Sequence, residues 1–294
     1  FKHRTKASLA NQEAIPMTAL TDTLQMEMYG DHPLAGRVKA EMIDQLDYNR
    51  IMEMYKDRFK EAGDFTFLFV GNINLEEAKP LIETYLGGLP TINRKENYQD
   101  IQLNIRKGTH KNLFEKQMET PKATVLNIIS GNCEYNLKND LLMTMLSQTM
   151  SMVYLETVRE KEGASYGVSA FGQLSRGIKD EALFQIYFDT DPAKREKMEQ
   201  IVMSELQKVA QEGPRPEHLA KVKEFLLKKH IEDAKENSYW LGQLNNYYWY
   251  KTDMNTDYEK LVNDLTAEDV KNFTKALLDQ GNIIEITMTA KEAK

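Results

Sequence analysis

The sequence predicts an α+β fold, in which an antiparallel sheet carries helices packed mainly on one face. Strand-like runs at residues 112–118 and 124–130 open the second part of the chain, long amphipathic helices occupy its middle, and residues 282–289 form a closing strand. Sheet elements grouped before helices favour this class over one with strict alternation of strands and helices. At 294 residues the chain is long enough for two such domains.

The composition is that of a soluble globular protein and argues against two classes of partner. Hydrophobic residues make up 41% of the chain and charged residues 28%. The formal net charge is −7, and no run of Lys and Arg is long enough to follow a phosphate backbone, so we expect no nucleic-acid partner. The longest apolar runs have the length of a strand, far below the ~20 residues of a membrane-spanning helix, so we expect no membrane segment.

Residues 1–108 are predicted to be the later part of one domain plus a linker. Asp44 and Asn74 are each placed to cap a helix, because their side chains can accept a hydrogen bond from the first helical turn. Between these helices, residues 65–70 are almost continuously apolar, which predicts a strand covered on both faces. Residues 91–108 are polar and rich in turn formers without periodicity, which is typical of an interdomain linker.

Residues 109–294 are predicted to form a complete second domain of similar type. Its two opening strands can pair as a hairpin, and its last helix begins with a capping-box pattern from Thr266 to Asp269. The elements between them are a helix at 137–162, strands from 165 and at 182–189, helices at 192–211 and 216–237, and a helical, aromatic-rich segment at 239–250. Such an order predicts a sheet with its helices gathered on one side.

The chain lacks a self-contained catalytic motif. A zinc peptidase needs two histidines close together on a helix, but neither HExxH nor HxxEH occurs among the five, which are His3, His32, His110, His218 and His230. The single Cys133 is read as a small core residue, and no GxSxG nucleophile motif is present. We therefore expect no metal ligand and no bound cofactor within this chain.

One segment carries two groups suited to substrate binding. Arg159 ends the long helix and Tyr166 opens the following strand, so a short loop can bring a guanidinium and a phenol to the same edge of the sheet. A fixed cation and an O–H donor can hold peptide carbonyls and stabilise negative charge on a carbonyl oxygen. The alternatives from the residues alone are that Arg159 pairs with Glu156 or Glu162 at the helix end, and that Tyr166 only fills space in the strand.

Several segments spread over most of the chain resemble the insulinase/pitrilysin zinc metallopeptidases, the inverzincins, and especially their bacterial members. The segment from Arg159 to Tyr166 resembles the Arg-(six residues)-Tyr signature of that family. The other similar segments are residues 64–73, 79–81, 85–90, 188–192 and 237–241. The resemblance implies an insulinase-type α+β fold and a C-terminal fragment of a larger enzyme.

The resemblance also implies a division of labour between two halves of one protein. In that family an HxxEH motif near the N-terminus holds zinc, and two bowl-shaped halves enclose a chamber in which peptides are cleaved. Arg159 would orient the peptide and Tyr166 would assist carbonyl or oxyanion binding, whereas zinc would belong to the full-length parent. The implied partners are a peptide substrate and the N-terminal zinc-binding half, the implied compartment is the periplasm, and the fragment alone is expected to be inactive.

Two alternatives remain open from the sequence. A noncatalytic subunit or peptide-binding module could keep this fold without the chemistry, although such a module would not need both Arg159 and Tyr166. The aromatic residues between Tyr239 and Tyr250 could line a chamber for peptides or could pack in the interior.

Overall fold

Five strands form one mixed sheet in the second part of the chain. The computed structural model describes the backbone of residues 1–161 and 165–291 and the side chains of residues 1–158 and 167–291. The strands of these residues are β1 (Thr109–Lys116), β2 (Ala123–Asn132), β3 (Ser165–Ser175), β4 (Glu181–Thr190) and β5 (Asn282–Ala290). Their order across the sheet is β1-β5-β2-β4-β3, so the last strand of the chain lies between the first two.

The position of β5 shows that the expected hairpin of the two opening strands is wrong. Thr109 of β1 pairs with Ile283 in a parallel register, and Leu126 of β2 pairs with Ile286 in an antiparallel register. A hairpin would have needed β1 and β2 to be neighbours. β5 buries Ile284, Ile286 and Met288 on one face of the sheet, so its central position shields these apolar side chains from water.

Ten helices accompany the sheet in the described residues. The first four precede it, and the other six lie between β2 and β5. They are α1 (Lys2–Glu13), α2 (Pro16–Tyr29), α3 (Tyr48–Phe59), α4 (Leu75–Tyr85), α5 (Leu137–Tyr154), α6 (Arg195–Glu212), α7 (Pro216–Asp233), α8 (Asn237–Asn245), α9 (Tyr258–Asp264) and α10 (Ala267–Leu278). The α+β fold class is therefore confirmed.

Both faces of the sheet are buried, and the hydrophobic core on one face is larger than that on the other. Val125 and Ile129 of β2 belong to a large core with helices α5, α6, α7 and α10, whereas Leu126 and Ile128 point to the opposite face. That second face is covered by α2, whose Leu20 is 2% exposed. Alternation of side chains along a strand places these neighbours on opposite sides, and β2 is buried on both because it is central.

Capping side chains determine where several helices begin. Asn74 accepts a hydrogen bond from the Glu76 N–H at the start of α4, as predicted. At α10, Thr266 and Asp269 form the predicted capping box, with each side chain bonded to the other residue's backbone N–H. The expectation for Asp44 is wrong, because it lies in a 3₁₀ turn (Ala40–Gln45) and the cap of α3 is Asp47.

Residues 65–70 do not form the strand that their apolar character predicts. They have no regular secondary structure, no described strand pairs with them, and Phe65, Phe67 and Phe69 are 40%, 44% and 53% exposed. A strand needs a neighbour to satisfy its backbone groups. Among the described residues that neighbour is absent, so the segment remains without sheet pairing.

The stretch from residue 91 to 108 has no regular structure, as the linker prediction requires. Its beginning is nevertheless held to the body of the first unit by Glu61, which is 3% exposed. The Glu61 carboxylate accepts hydrogen bonds from Thr91 Oγ1 at 2.6 Å and from the backbone N–H groups of Ile92 at 2.9 Å and Arg94 at 2.7 Å. The division of the chain at residue 108 remains a prediction.

Candidate functional site

The predicted pair of site residues lies at the junction between the end of α5 and the start of β3. The α-helical part of α5 ends at Tyr154, and the backbone continues as a π-helical turn, Leu155–Lys161, that carries residue 159. The side chains of Arg159 and Tyr166 lie outside the described residues, so their roles remain predictions. The backbone path nevertheless brings both positions to one end of the sheet.

A β-bulge interrupts the pairing of β3 with β4 at Tyr166. Ser165 pairs with Thr190 and Val168 pairs with Phe188, so two residues of β3 oppose one residue of β4. A bulge adds a residue to one strand and redirects the side chains beside it, and bulges are over-represented next to active sites. β3 is also an edge strand of the described sheet, and an edge strand is where a further extended chain can pair with a sheet.

The π-helical turn is anchored to the core on either side of Glu156. The Tyr154 side chain is fully buried, and its hydroxyl donates a hydrogen bond to the Val202 carbonyl of α6 at 3.1 Å. Burial raises the pKa of Tyr154 well above its ordinary value, so the hydroxyl remains a donor. Val158 is also fully buried in the large core. A π-helical turn inside an α-helix is rare and is frequently found at a functional site.

Glu156 connects the same turn to the beginning of α7. Its carboxylate pairs with the Arg215 guanidinium, and its Oε1 lies 3.0 Å from Nε2 of His218. The Arg215 hydrogen bond, followed by the one to His218, lowers the pKa of Glu156 below its ordinary value. The carboxylate that the sequence offered as an alternative partner for Arg159 is thus engaged by α7.

Sequence reasoning did not identify this cluster, although part of a signal was present. His218, Val222 and Leu226 follow one another at four-residue spacing, which places the histidine on the buried stripe of α7. The spacing predicts that His218 is enclosed, and it is 1% exposed. Its partner Glu156 is 62 residues away in sequence, and no local pattern predicts that contact.

A close backbone approach fixes β3 against α5. A Cβ atom on Gly172 would lie 2.1 Å from Sδ of Met143 and 2.9 Å from Oγ of Ser147. A residue with a side chain fits at this crossing only if Met143 and Ser147 or the strand itself move. The site strand therefore lies directly on the helix whose end carries residue 159.

The histidines and the cysteine of the described residues do not assemble a metal centre. No group of three or more His, Cys, Asp or Glu side chains in that part of the chain could hold a metal ion. His230 instead stacks on Tyr258 with ring centroids 4.1 Å apart, and His32 lies 2.9 Å from the carbonyl oxygen of Ile101. Burial, followed by the nearby Asp180 carboxylate, raises the pKa of Cys133, which does not favour a reactive thiolate.

The aromatic residues of α8 and of the turn that follows it, Asn246–Tyr250, differ in their surroundings, and their role in a peptide chamber remains a prediction. Tyr239 donates a hydrogen bond to Asn255 Oδ1 at 2.6 Å, and the Tyr250 ring packs 5.7 Å from that of Tyr135, so these rings have structural contacts. Tyr248 and Trp249 are instead 50% and 74% exposed. Together with residues 64–68 they line an open cleft of about 470 Å³.

The sheet, its covering helices and the π-helical end of α5 define an α+β domain without a metal centre in its described residues. The model of the peptidase M16 inactive-domain family matches residues 45–226. The chain therefore belongs to that family, and the resemblance to pitrilysin-type zinc peptidases is confirmed. No described helix is both long and apolar enough to cross a membrane.

Solved structures share the fold at low sequence identity. The periplasmic protease PqqL from Escherichia coli superimposes with a TM-score of 0.81 at 16% identity, over 99% of this chain and 33% of that protein. A peptidase M16 inactive domain from Pseudomonas fluorescens gives 0.77 at 18% identity, over 100% of this chain and 70% of that one. Pitrilysin gives 0.64 at 13% identity, over 99% of this chain and 31% of that one.

A curated relative is similar in sequence as well. The PQQL-like zinc protease of Arabidopsis thaliana is 23% identical over 256 residues, which cover 81% of this chain and 26% of that protein. The chain thus spans about a quarter of this relative and about a third of PqqL. The name zinc protease belongs to the longer Arabidopsis protein, and this chain matches only one part of it.

Proposed function

We propose that this chain is the C-terminal, substrate-binding part of a zinc-dependent endopeptidase that cleaves peptides inside an enclosed chamber. The observation that carries the proposal is the junction of the π-helical turn with the β-bulge. These two irregularities carry residues 159 and 166 and lie at one end of the sheet, at its edge strand β3. Family membership and the zinc-protease description of the longer relative support the reaction class.

Each of the two side chains has a distinct chemical task in this proposal. The Arg159 guanidinium donates hydrogen bonds to peptide carbonyl oxygens and orients the substrate backbone. The Tyr166 hydroxyl donates to the oxygen of the scissile carbonyl, where negative charge develops during attack. Zinc, when bound by the other half of the parent, activates the attacking water. No described residues of this chain form a metal site, so the chain contributes positioning alone.

Residues 1–108 act as the later part of one domain and its linker, and residues 109–294 as the complete second domain with the Arg/Tyr pair. Residues 65–70 support this division, because they have an apolar strand sequence without a described neighbouring strand. Strand-forming backbone from the preceding part of the parent would satisfy them. The N-terminal zinc-binding half is therefore a partner within the same protein.

The substrate is a peptide, and the compartment is the periplasm. PqqL, which shares the fold, is described as a periplasmic protease, and this supports the compartment. FusC, described as a ferredoxin protease and solved with Arabidopsis ferredoxin, shares the fold with a TM-score of 0.78 at 13% identity, over 99% of this chain and 32% of FusC. That substrate belongs to FusC, but it supports a polypeptide substrate for the parent of this chain.

A noncatalytic subunit or peptide-binding module is the second candidate. The matching family is called an inactive domain, and a domain without chemistry of its own favours this second candidate. The two candidates differ in what Arg159 and Tyr166 do. In an enzyme they affect turnover, whereas in a binding module their loss changes only peptide affinity.

The test uses the complete protein and peptide substrates. Tyr166→Phe removes one oxyanion donor and is expected to lower kcat by about 100- to 1000-fold. Arg159→Ala is expected to raise KM and lower kcat together. The matched controls are Tyr48→Phe and Arg50→Ala, whose side chains are exposed on α3, and both should keep wild-type kinetics.

Two outcomes would contradict the proposed function. Wild-type turnover in both Tyr166→Phe and Arg159→Ala would remove the proposed role of the pair. Robust peptide cleavage by the 294-residue chain supplied with zinc would contradict the division of labour, because the described residues contain no metal site.

A further inference from the structure

We propose that Glu156, Arg215 and His218 form a positioning cluster that holds the π-helical turn in the place where Arg159 can meet substrate. The inference rests on the proposed function, because it concerns the placement of one of the two substrate-binding residues. Glu156 lies on the turn itself, three residues before Arg159. Arg215 and His218 lie at the beginning of α7, so the cluster joins two elements that are distant in sequence.

The contacts of the cluster are short and centred on an enclosed histidine. His218 Nε2 lies 3.0 Å from Glu156 Oε1 and 2.6 Å from Arg215 Nη2, and Arg215 also pairs directly with Glu156. The His218 side chain is 2% exposed, whereas those of Arg215 and Glu156 are 52% and 38% exposed. The cluster therefore consists of a buried histidine and an ion pair nearer the surface.

The proton on the histidine determines which contact is a hydrogen bond. A guanidinium only donates and a carboxylate only accepts. With a proton on Nε2 the imidazole donates to Glu156, and without one it accepts from Arg215. A glutamine amide at position 218 could make both bonds, because it has a donor and an acceptor, whereas a leucine could make neither.

Positioning explains this arrangement better than stability does. An ion pair with both partners this exposed adds little to folding stability. Tyr154 and Val158, on either side of Glu156, already attach this part of the chain to the core. Glu156 adds the described polar connection of the turn to α7. A displacement of a substrate-binding group by about 1 Å can lower turnover by about 100-fold. A weak interaction at this position can thus have a large effect on catalysis.

The experiment combines cluster variants with the loss of Arg159 in the complete protein. Glu156→Gln and His218→Leu are expected to lower kcat/KM for a peptide substrate by about 10- to 100-fold, while His218→Gln stays near wild type. In an Arg159→Ala background the same two variants should have no further effect. The control is Glu217→Gln, because Glu217 lies 3.5 Å from Arg215 Nε but belongs to α7 and not to the turn.

A second measurement reports on the turn without catalysis. Glu156→Gln is expected to accelerate backbone amide hydrogen exchange in residues 155–161, and Glu217→Gln is expected to leave it unchanged. This readout also serves if His218→Leu fails to fold, because the partly exposed Glu156 tolerates the isosteric change. Equal exchange in the two glutamine variants would overturn the proposal.

The kinetic outcomes separate this inference from the proposed function. Wild-type kinetics in Arg159→Ala would refute the role of Arg159 itself. If Arg159→Ala is impaired but the cluster variants reduce kcat/KM by the same factor in both backgrounds, Arg159 keeps its role and the cluster does not position it. Wild-type kinetics in Glu156→Gln and His218→Leu would refute the cluster in the same way.

Discussion

Replacing Gly172 by alanine tests whether the close contact between β3 and α5 sets the position of the site strand. The added Cβ would lie 2.1 Å from Met143 Sδ, 2.8 Å from Met143 Cγ and 2.9 Å from Ser147 Oγ. All three distances are shorter than real Cβ contacts allow. The methionine chain is flexible, but Met143 is 1% exposed, and protein interiors are closely packed, so its movement displaces neighbouring side chains. Either β3 moves away from α5 or the core around Met143 rearranges.

The expected cost follows from these contacts. Inserting one extra methyl group into a packed interior typically destabilises a protein by about 1–3 kcal/mol. Ser147 adds to the constraint, because its hydroxyl donates to the Met143 carbonyl at 2.8 Å and has little freedom to turn away. We therefore expect Gly172→Ala to lower the free energy of unfolding by about 2 kcal/mol.

Urea denaturation of the chain, followed by circular dichroism, measures this change. The matched control is Gly242→Ala in α8, where no atom lies within 4 Å of an added Cβ. Alanine is more favourable than glycine inside a helix by about 0.8–1.0 kcal/mol, so the control should be neutral or more stable. A Gly172→Ala protein as stable as wild type would show that β3 does not depend on this contact.

Two further predictions concern polar contacts. Hydrogen bonds led by those from Thr91 Oγ1 and the Arg94 N–H lower the pKa of Glu61 to about 2 from a model-peptide value of 4.5. Because its pKa is lower in the folded state, the Glu61 carboxylate stabilises the fold above pH 4.5, and that stability is lost as the pH falls towards about 2. The melting temperatures of wild type and Glu61→Gln should therefore differ at neutral pH and converge in acid. A difference that stays constant with pH would contradict this. Thr266→Ala removes the capping box of α10 and should lower the free energy of unfolding, measured by urea denaturation, by about 1 kcal/mol. Thr266→Ser keeps a hydroxyl and should retain most of the stability. Equal loss in both variants would refute the capping role.

The candidate site was partly predictable because two of its parts are local in sequence. Arg159 and Tyr166 are close along the chain, so a helix end followed by a strand start brings their backbones together without knowledge of the rest of the fold. The π-helical turn and the β-bulge were not predictable, because both depart from the regular helix and strand periods on which the sequence pattern rests. The contact of Glu156 with His218 depends on how α7 packs, which periodicity does not specify.

Periodicity, caps and turn residues were sufficient for most helices and strands of the second unit, since each is decided by residues a few positions apart. Tertiary structure alone decided the neighbours of each strand. β5 separates β1 from β2 because a strand's partner is selected by burial across the whole sheet, and residues 65–70 remain unpaired because apolar character does not supply a neighbouring strand. Local sequence thus determined the elements, and long-range packing determined their pairing.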